Sequence, residues 1–180
     1  MDLEAILSGC LRGDRVSQKN LFDCYSGKML AVCMRYAKHK MEAEDLLQDG
    51  FIKVFTNLDQ YKGDGPFEQW MRRIMINNAI KKYHKKSNQN ESYQLEYVPE
   101  QTVEPDAIDH LAESELYQMI EELPDGYKVV FNLYAIEGFS HKEIADLLHI
   151  EESTSRSQLV KARKVLQDKI TKNQKFAFKI

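Results

Sequence analysis

Between Gln69 and Asn90 the chain carries six cations and no acid: Arg72, Arg73, Lys81, Lys82, Lys85 and Lys86. Asn77, Asn78, Tyr83 and His84 are interleaved with them. Cations attract phosphate, and amides and aromatic rings hydrogen-bond to or stack on unpaired bases, so this mixture suits a single strand of nucleic acid. A second set lies nearer the other end. Ser153, Thr154, Arg156, Ser157 and Gln158 would open a helix whose first side chains can reach base edges in a DNA major groove. Lys161, Arg163 and Lys164 follow at positions suited to phosphates, which fix register without reading sequence. A third set, Asp45, Gln48, Asp49 and Ile52, falls at i, i+3, i+4 and i+7. That spacing gives one helix stripe, acidic and amide-rich with a single apolar member.

None of these groups is arranged to make or break a bond, and the chain is not expected to be an enzyme. It holds no P-loop, GxGxxG, GxSxG or HExxH pattern. Asp106, Asp109, His110 and Glu113 could share a helix face in the manner of metal ligands, but they border a run of acids, and neither a metal nor another cofactor is expected. Cys10, Cys24 and Cys33 are odd in number, widely spaced and without a CxxC pair, which fits reduced, buried or half-buried thiols. No apolar run approaches the roughly 18 residues that span a bilayer, and the N-terminus lacks a signal-peptide pattern. The expectation is a cytoplasmic protein with no membrane insertion.

The elements that must position these groups read as helices. Eight Gly, four Pro and little strict alternation in 180 residues disfavour sheets. Leu3 to Leu11 is a short periodic segment ended at Gly13-Asp14. Phe22, Tyr25, Met29, Val32, Cys33 and Tyr36 recur at helical steps, and Ala43, Leu47, Phe51, Val54 and Leu58 mark a third helix. The stretch from Asn57 to Gly65 is turn-like, and Pro66 opens a helix anchored by Phe67, Trp70 and Ile74. Leu111, Leu116, Met119, Ile120 and Leu123 resume the pattern. Pro124-Asp125 starts a helix that Gly138 ends, and Ser140-His-Lys-Glu143 is a capping box before a short helix through Leu148. After a turn at His149, a longer basic helix runs from about Glu152 through Lys169, with Ser155, Leu159, Ala162 and Leu166 inward. Two helices joined by a tight turn, the second basic, make a helix-turn-helix.

Charge divides the chain. Residues 1–89 carry a net +4, residues 90–125 a net -11 with no Lys or Arg, and residues 126–180 a net +4. Pro99 and Pro105 interrupt the acidic part, which reads as a flexible linker. The expected architecture is all-α: a helical domain at 1–89, an acidic linker at 90–110, and a helix-turn-helix domain with a C-terminal tail at 111–180.

At this point the sequence resembles the extracytoplasmic-function (ECF) sigma factors of bacterial RNA polymerase, the minimal kind with only sigma regions two and four. Glu44-Asp-Leu-Leu-Gln-Asp-Gly-Phe-Ile-Lys-Val-Phe55 resembles the segment that grips the polymerase β′ coiled coil. Phe67-Glu-Gln-Trp-Met-Arg-Arg-Ile-Met-Ile-Asn77 resembles the helix at the minus-ten element. Leu123 to Phe131 and Glu137 to Leu148 resemble the minus-thirty-five-binding helix-turn-helix, and Ser153 to Arg163 falls where its recognition helix lies. The resemblance spans roughly Leu11 to Leu166 with the segments in order. It implies core polymerase (β′ coiled coil and β flap), promoter DNA and an anti-sigma factor as partners, with polymerase supplying the chemistry. It gives Asp45, Gln48, Asp49 and Ile52 to polymerase. It gives Asn57, Tyr61, Lys62 and Asp64 to an unstacked base of the melted minus-ten strand, and Arg72, Arg73, Asn77, Lys81, Lys82 and Lys85 to that strand and its phosphates.

Some positions depart from the family pattern. His149 stands where a glycine is common, Glu151 where a Ser cap is usual (Ser153 being an alternative cap), and Ser155 where an apolar residue is common. Ile76 replaces a frequent Arg and Lys81 a frequent Asp. One rival reading is a regulator that binds duplex DNA through its helix-turn-helix without joining polymerase, which needs an effector or dimerisation domain in the first half. Another is a helical adaptor, which has no use for two cationic faces.

Overall fold

The computed structural model describes residues 2–87 and 113–177, and every described element is a helix or turn. The chain divides into two compact units, residues 1–91 and 92–180. The expected linker at 90–110 lies outside the described residues, as do Asp106, Asp109 and His110.

Unit one contains α1 (Leu3–Leu11), α2 (Arg15–Met34), α3 (Lys40–Thr56), a 3-10 turn (Leu58–Gln60) and α4 (Phe67–Ser87). Each start has a local cause. Asp2 and Asp14 cap α1 and α2, each carboxylate accepting from two backbone N–H groups of the first turn. The imidazole of His39 caps α3 by accepting from the Glu42 N–H. The Asp14 cap bonds also hold its carboxyl below the usual range, with the Ser17 hydroxyl contributing most. Helices α2, α3 and α4 pack against one another, and α1 packs on α2. Leu21, Met29, Val32, Leu46, Phe51, Val54, Met71, Met75 and Ile76 fill the centre. Gly50 leaves room for the Met75 side chain of α4 to lie against α3, where a Cβ would stand 2.1 Å from the Met75 sulfur. Cys10 and Cys33 are buried as expected, and burial pushes the Cys33 thiol up to about 12. Cys24 differs, standing exposed on α2.

Unit two contains α5 (Glu113–Glu121), α6 (Asp125–Phe131), α7 (His141–Leu148) and α8 (Glu152–Ala177). Met119, Ile120 and Leu123 meet Ala162, Leu166 and Ile170 of α8, with Tyr127, Phe131 and Val165 at the edge. An ion pair between Lys169 and Glu122, 2.5 Å, closes one side and holds the Glu122 carboxyl below its ordinary range. The helix expected to run to Gly138 instead widens into a π turn at Asn132–Ile136. There the Glu137 N–H donates to the Asn132 carbonyl, 3.0 Å, five residues back. Gly138, at φ 77°, then lets the Phe139 N–H return to the Leu133 carbonyl, 2.9 Å. The tail continues α8 as far as Ala177.

Candidate nucleic-acid interface

On α3 the inward residues Ala43, Leu46, Leu47, Phe51 and Val54 leave the other side free, and Asp45, Gln48, Asp49 and Ile52 are all exposed there. Ile52 is 63% exposed, a large apolar surface in water. The stripe is longer than the sequence reading had it. Met41, one turn before Asp45, is 69% exposed, so apolar groups bracket the acids at both ends. The i-4 spacing from Asp45 was the available signal.

The turn after α3 is built from its own side chains. The Asn57 amide donates to the Lys53 carbonyl, 2.7 Å, and its oxygen accepts from Gln60, 3.2 Å. Asn57 therefore finishes α3 as well as facing the turn. Tyr61 donates its hydroxyl to the Gly65 carbonyl, 2.7 Å, across the loop. Its ring meets Phe67 edge-on at 5.0 Å and Trp70 at 5.6 Å, and Phe67 meets Tyr25. Lys62 and Asp64 stand exposed at the tip.

Helix α4 sorts its polar residues by angle. Arg73, Asn77, Lys81 and Lys85 are exposed, at steps of four that make one continuous stripe. Arg72 and Lys82 are half-buried. Lys82 stands 3.9 Å from the buried carboxylate of Glu42, which also accepts from the Lys38 N–H at 2.9 Å. Asn78 turns away from the surface. It is 7% exposed, donates to the Leu46 carbonyl at 3.2 Å and accepts from Lys53. The reading that grouped Asn78 with base-contacting amides is corrected here: its position, one step beyond Asn77, points it into the α3–α4 seam. Ile76 is likewise a core residue, 1% exposed. Sequence reasoning missed Glu42, whose three-residue spacing from the capping His39 was the signal.

In unit two the helix-turn-helix is α7, a turn and α8. Ser140 accepts from the Glu143 N–H, 3.2 Å, and Glu143 accepts from the Ser140 N–H, 2.8 Å, forming the expected capping box. His149 takes φ 53°, ψ 44°, the left-handed conformation that favours a glycine, the residue common at this position. The Glu151 carbonyl accepts from the Ser155 N–H, 3.1 Å, so Glu151 holds the cap position before α8 and Ser153 lies inside the helix rather than capping it. Ser153, Arg156, Arg163 and Lys164 are exposed, while Thr154, Ser157, Gln158 and Lys161 are half-buried. Arg156 pairs with Glu152 one turn back. The Ser157 hydroxyl donates to the Thr154 carbonyl, 3.0 Å. The Gln158 amide lies over Gly126 of α6, where an added Cβ would be 3.6 Å from it, so this residue faces the domain. Ser155 is fully buried and its hydroxyl sits 2.9 Å from Nδ1 of His141. The polar residue at this inner position thus has a polar partner on the facing helix. Burial, aided by the Arg156 and Arg163 charges and opposed by Glu152, holds the His141 imidazole below its ordinary value.

One unit thus presents an acidic, apolar-tipped helix face and a cationic stripe on the next helix, and the other presents a helix-turn-helix. Comparison with known proteins meets this arrangement at both units. Residues 21–89 match the family described as Sigma-70 region 2, and residues 113–166 match Sigma-70, region 4. The ECF RNA polymerase sigma factor SigW of Bacillus subtilis is 27% identical over 171 residues, covering 88% of this chain and 91% of that one. The ECF RNA polymerase sigma-E factor of Escherichia coli is 25% identical, covering 88% and 89%. Among solved structures, the sigma factor RpoE bound to the anti-sigma factor NepR, from Bartonella quintana, shares the fold with a TM-score of 0.53 at 20% identity, covering 86% of this chain and 96% of that one. CnrH bound to the cytosolic domain of CnrY gives 0.51 at 18%, covering 94% and 98%. The first half, being a region-2 domain, offers no effector or dimerisation module, and the free-standing regulator falls away. With both sigma regions matched in order and the relatives covered almost end to end, the chain belongs to the ECF sigma factors of RNA polymerase.

Proposed function

We propose that this promoter-directing sigma factor divides its work among three surfaces. The α3 stripe from Met41 to Ile52 docks on a basic helical element of core polymerase, the β′ coiled coil. The α4 stripe of Arg73, Asn77, Lys81 and Lys85, with the loop tip at Lys62 and Asp64, holds the melted minus-ten strand. The exposed start of α8 reads the minus-thirty-five duplex. The domain limits 1–89, 90–110 and 111–180 follow from this division, with the β flap as the second polymerase contact for the latter half.

The supporting observation is the exposure of Ile52 beside Asp45, Gln48 and Asp49. Two large exposed apolar side chains on the same helix stripe give a partner apolar surface to bury, and the acids and amide between them give it charges and hydrogen bonds to meet. The chain itself breaks no bond, works in the cytoplasm, and is restrained by an anti-sigma factor, as RpoE and CnrH are bound by their partners. No helix among the described residues is long and apolar enough to cross a membrane.

The test is transcription of genomic DNA by core polymerase with the purified chain. Defined start sites are expected, and Asp45→Lys or Ile52→Ala should abolish or weaken core binding while leaving the fold intact. Wild-type affinity for core in both variants would refute the assignment of α3.

A further inference from the structure

Arg163 stands on the exposed side of α8, its guanidinium carbon 5.8 Å from the centroid of the Tyr134 ring. Tyr134 comes from the π turn after α6 and is 36% exposed. Its ring is stacked on the His141 imidazole, with centroids 4.5 Å apart and planes at 21°. His141 is tied in turn to the buried hydroxyl of Ser155. The sequence of contacts Ser155, His141, Tyr134, Arg163 therefore begins and ends on α8, passing through α7 and the π turn.

An arginine on an open helix surface gives up side-chain freedom when it grips an anion. A ring that already carries the guanidinium removes part of that cost. The nature of the hold matters too. Arg156, near the start of the same helix, is held by the carboxylate of Glu152, which cancels charge. Arg163 is held by a neutral ring, which fixes the guanidinium while leaving its full charge for another anion. Eleven residues into α8, Arg163 is past the first turn that reaches base edges, which leaves the DNA backbone as its anion.

We propose that Tyr134, seated on His141, is a positioning residue that presets Arg163 to grip a phosphate of duplex DNA. This rests on reading α8 as the DNA-reading helix. The test is a double-mutant cycle on the full chain bound to core polymerase, with binding to a labelled promoter duplex taken from a mapped start site followed by anisotropy between about 50 and 200 mM salt. Arg163→Ala should flatten the slope of log affinity against log salt by about 0.9, the loss of one phosphate contact. Tyr134→Leu should weaken binding about 2- to 5-fold in the wild-type background and not at all in Arg163→Ala, while Tyr134→Phe keeps wild-type affinity. Because the cycle compares one substitution in two backgrounds, any loss of stability common to both cancels. An equal loss in both backgrounds, or a loss with Tyr134→Phe, would overturn the positioning role and leave α8 as the reading helix. An Arg163→Ala holoenzyme with unchanged affinity and an unchanged salt slope would instead overturn the reading of α8.

Discussion

Asn77 and Asn78 are adjacent, chemically identical and expected to fail in opposite ways. Asn78→Ala removes a donor to the Leu46 carbonyl and an acceptor for Lys53 from a site only 7% exposed. A net neutral hydrogen bond is worth about 1 kcal/mol and one to a charged group about 1.5–3 kcal/mol. Lys53 is half-buried and regains water when released, which discounts the second contribution to about 1 kcal/mol. The expected loss is about 2 kcal/mol, and at about 4–8 °C per kcal/mol for a unit of this size the midpoint should fall by about 8–16 °C. Trp70 is the only tryptophan in the chain and lies in unit one, so its fluorescence reports that unit's transition alone. Asn77→Ala, on the exposed stripe, should leave the midpoint within about 4 °C, the range of surface substitutions, and weaken open-complex formation instead. A stable Asn78→Ala protein that fails only in promoter opening would refute the placement of this side chain in the α3–α4 seam.

Three further outcomes follow from the packing. His141 has a folded pKa below its unfolded value, so the unfolded chain takes up the proton first; unit-two stability is complete above about pH 6.5 and falls as pH drops through it. Urea midpoints at pH 7.5 and 5.5 should show this, with the difference reduced in His141→Phe. Gly50→Ala places a Cβ 2.1 Å from the Met75 sulfur; overpacking of about 1–3 kcal/mol outweighs about 1 kcal/mol of helix propensity, so a net loss of about 1 kcal/mol is expected in denaturant titration. Ser140→Ala breaks the capping box of α7 and should cost unit two about 1 kcal/mol, read from the same titration.

The parts of this fold that were legible in the sequence are those set by local rules. The inward face of α3, the capping box at Ser140 and the strained turn at His149 each depend on residues a few positions apart. The stripe of Asp45, Gln48, Asp49 and Ile52 was visible for the same reason. What escaped depends on a second element. Asn78 and Ile76 sit on a helix whose polar and cationic residues run nearly all the way round, so periodicity alone could not say which side faces α3. The packing of Tyr61 on Phe67 and Trp70 escaped because it is made across the loop between two elements. The π turn has no sequence signature of its own; within it Leu133 is buried and Tyr134 exposed. Gln158 was placed by position in the recognition helix, and its contact with Gly126 of α6 depends on a second element that periodicity does not reveal.

The pinned loop between α3 and α4 carries a lesson about how such a protein can diversify. Its shape is dictated from below, by Tyr61 wedged among Phe67 and Trp70 and bonded to the Gly65 carbonyl, while Lys62 and Asp64 merely ride on top. Those two outward residues can therefore drift under selection, one chemical preference exchanged for another, without the scaffold beneath them having to be rebuilt each time.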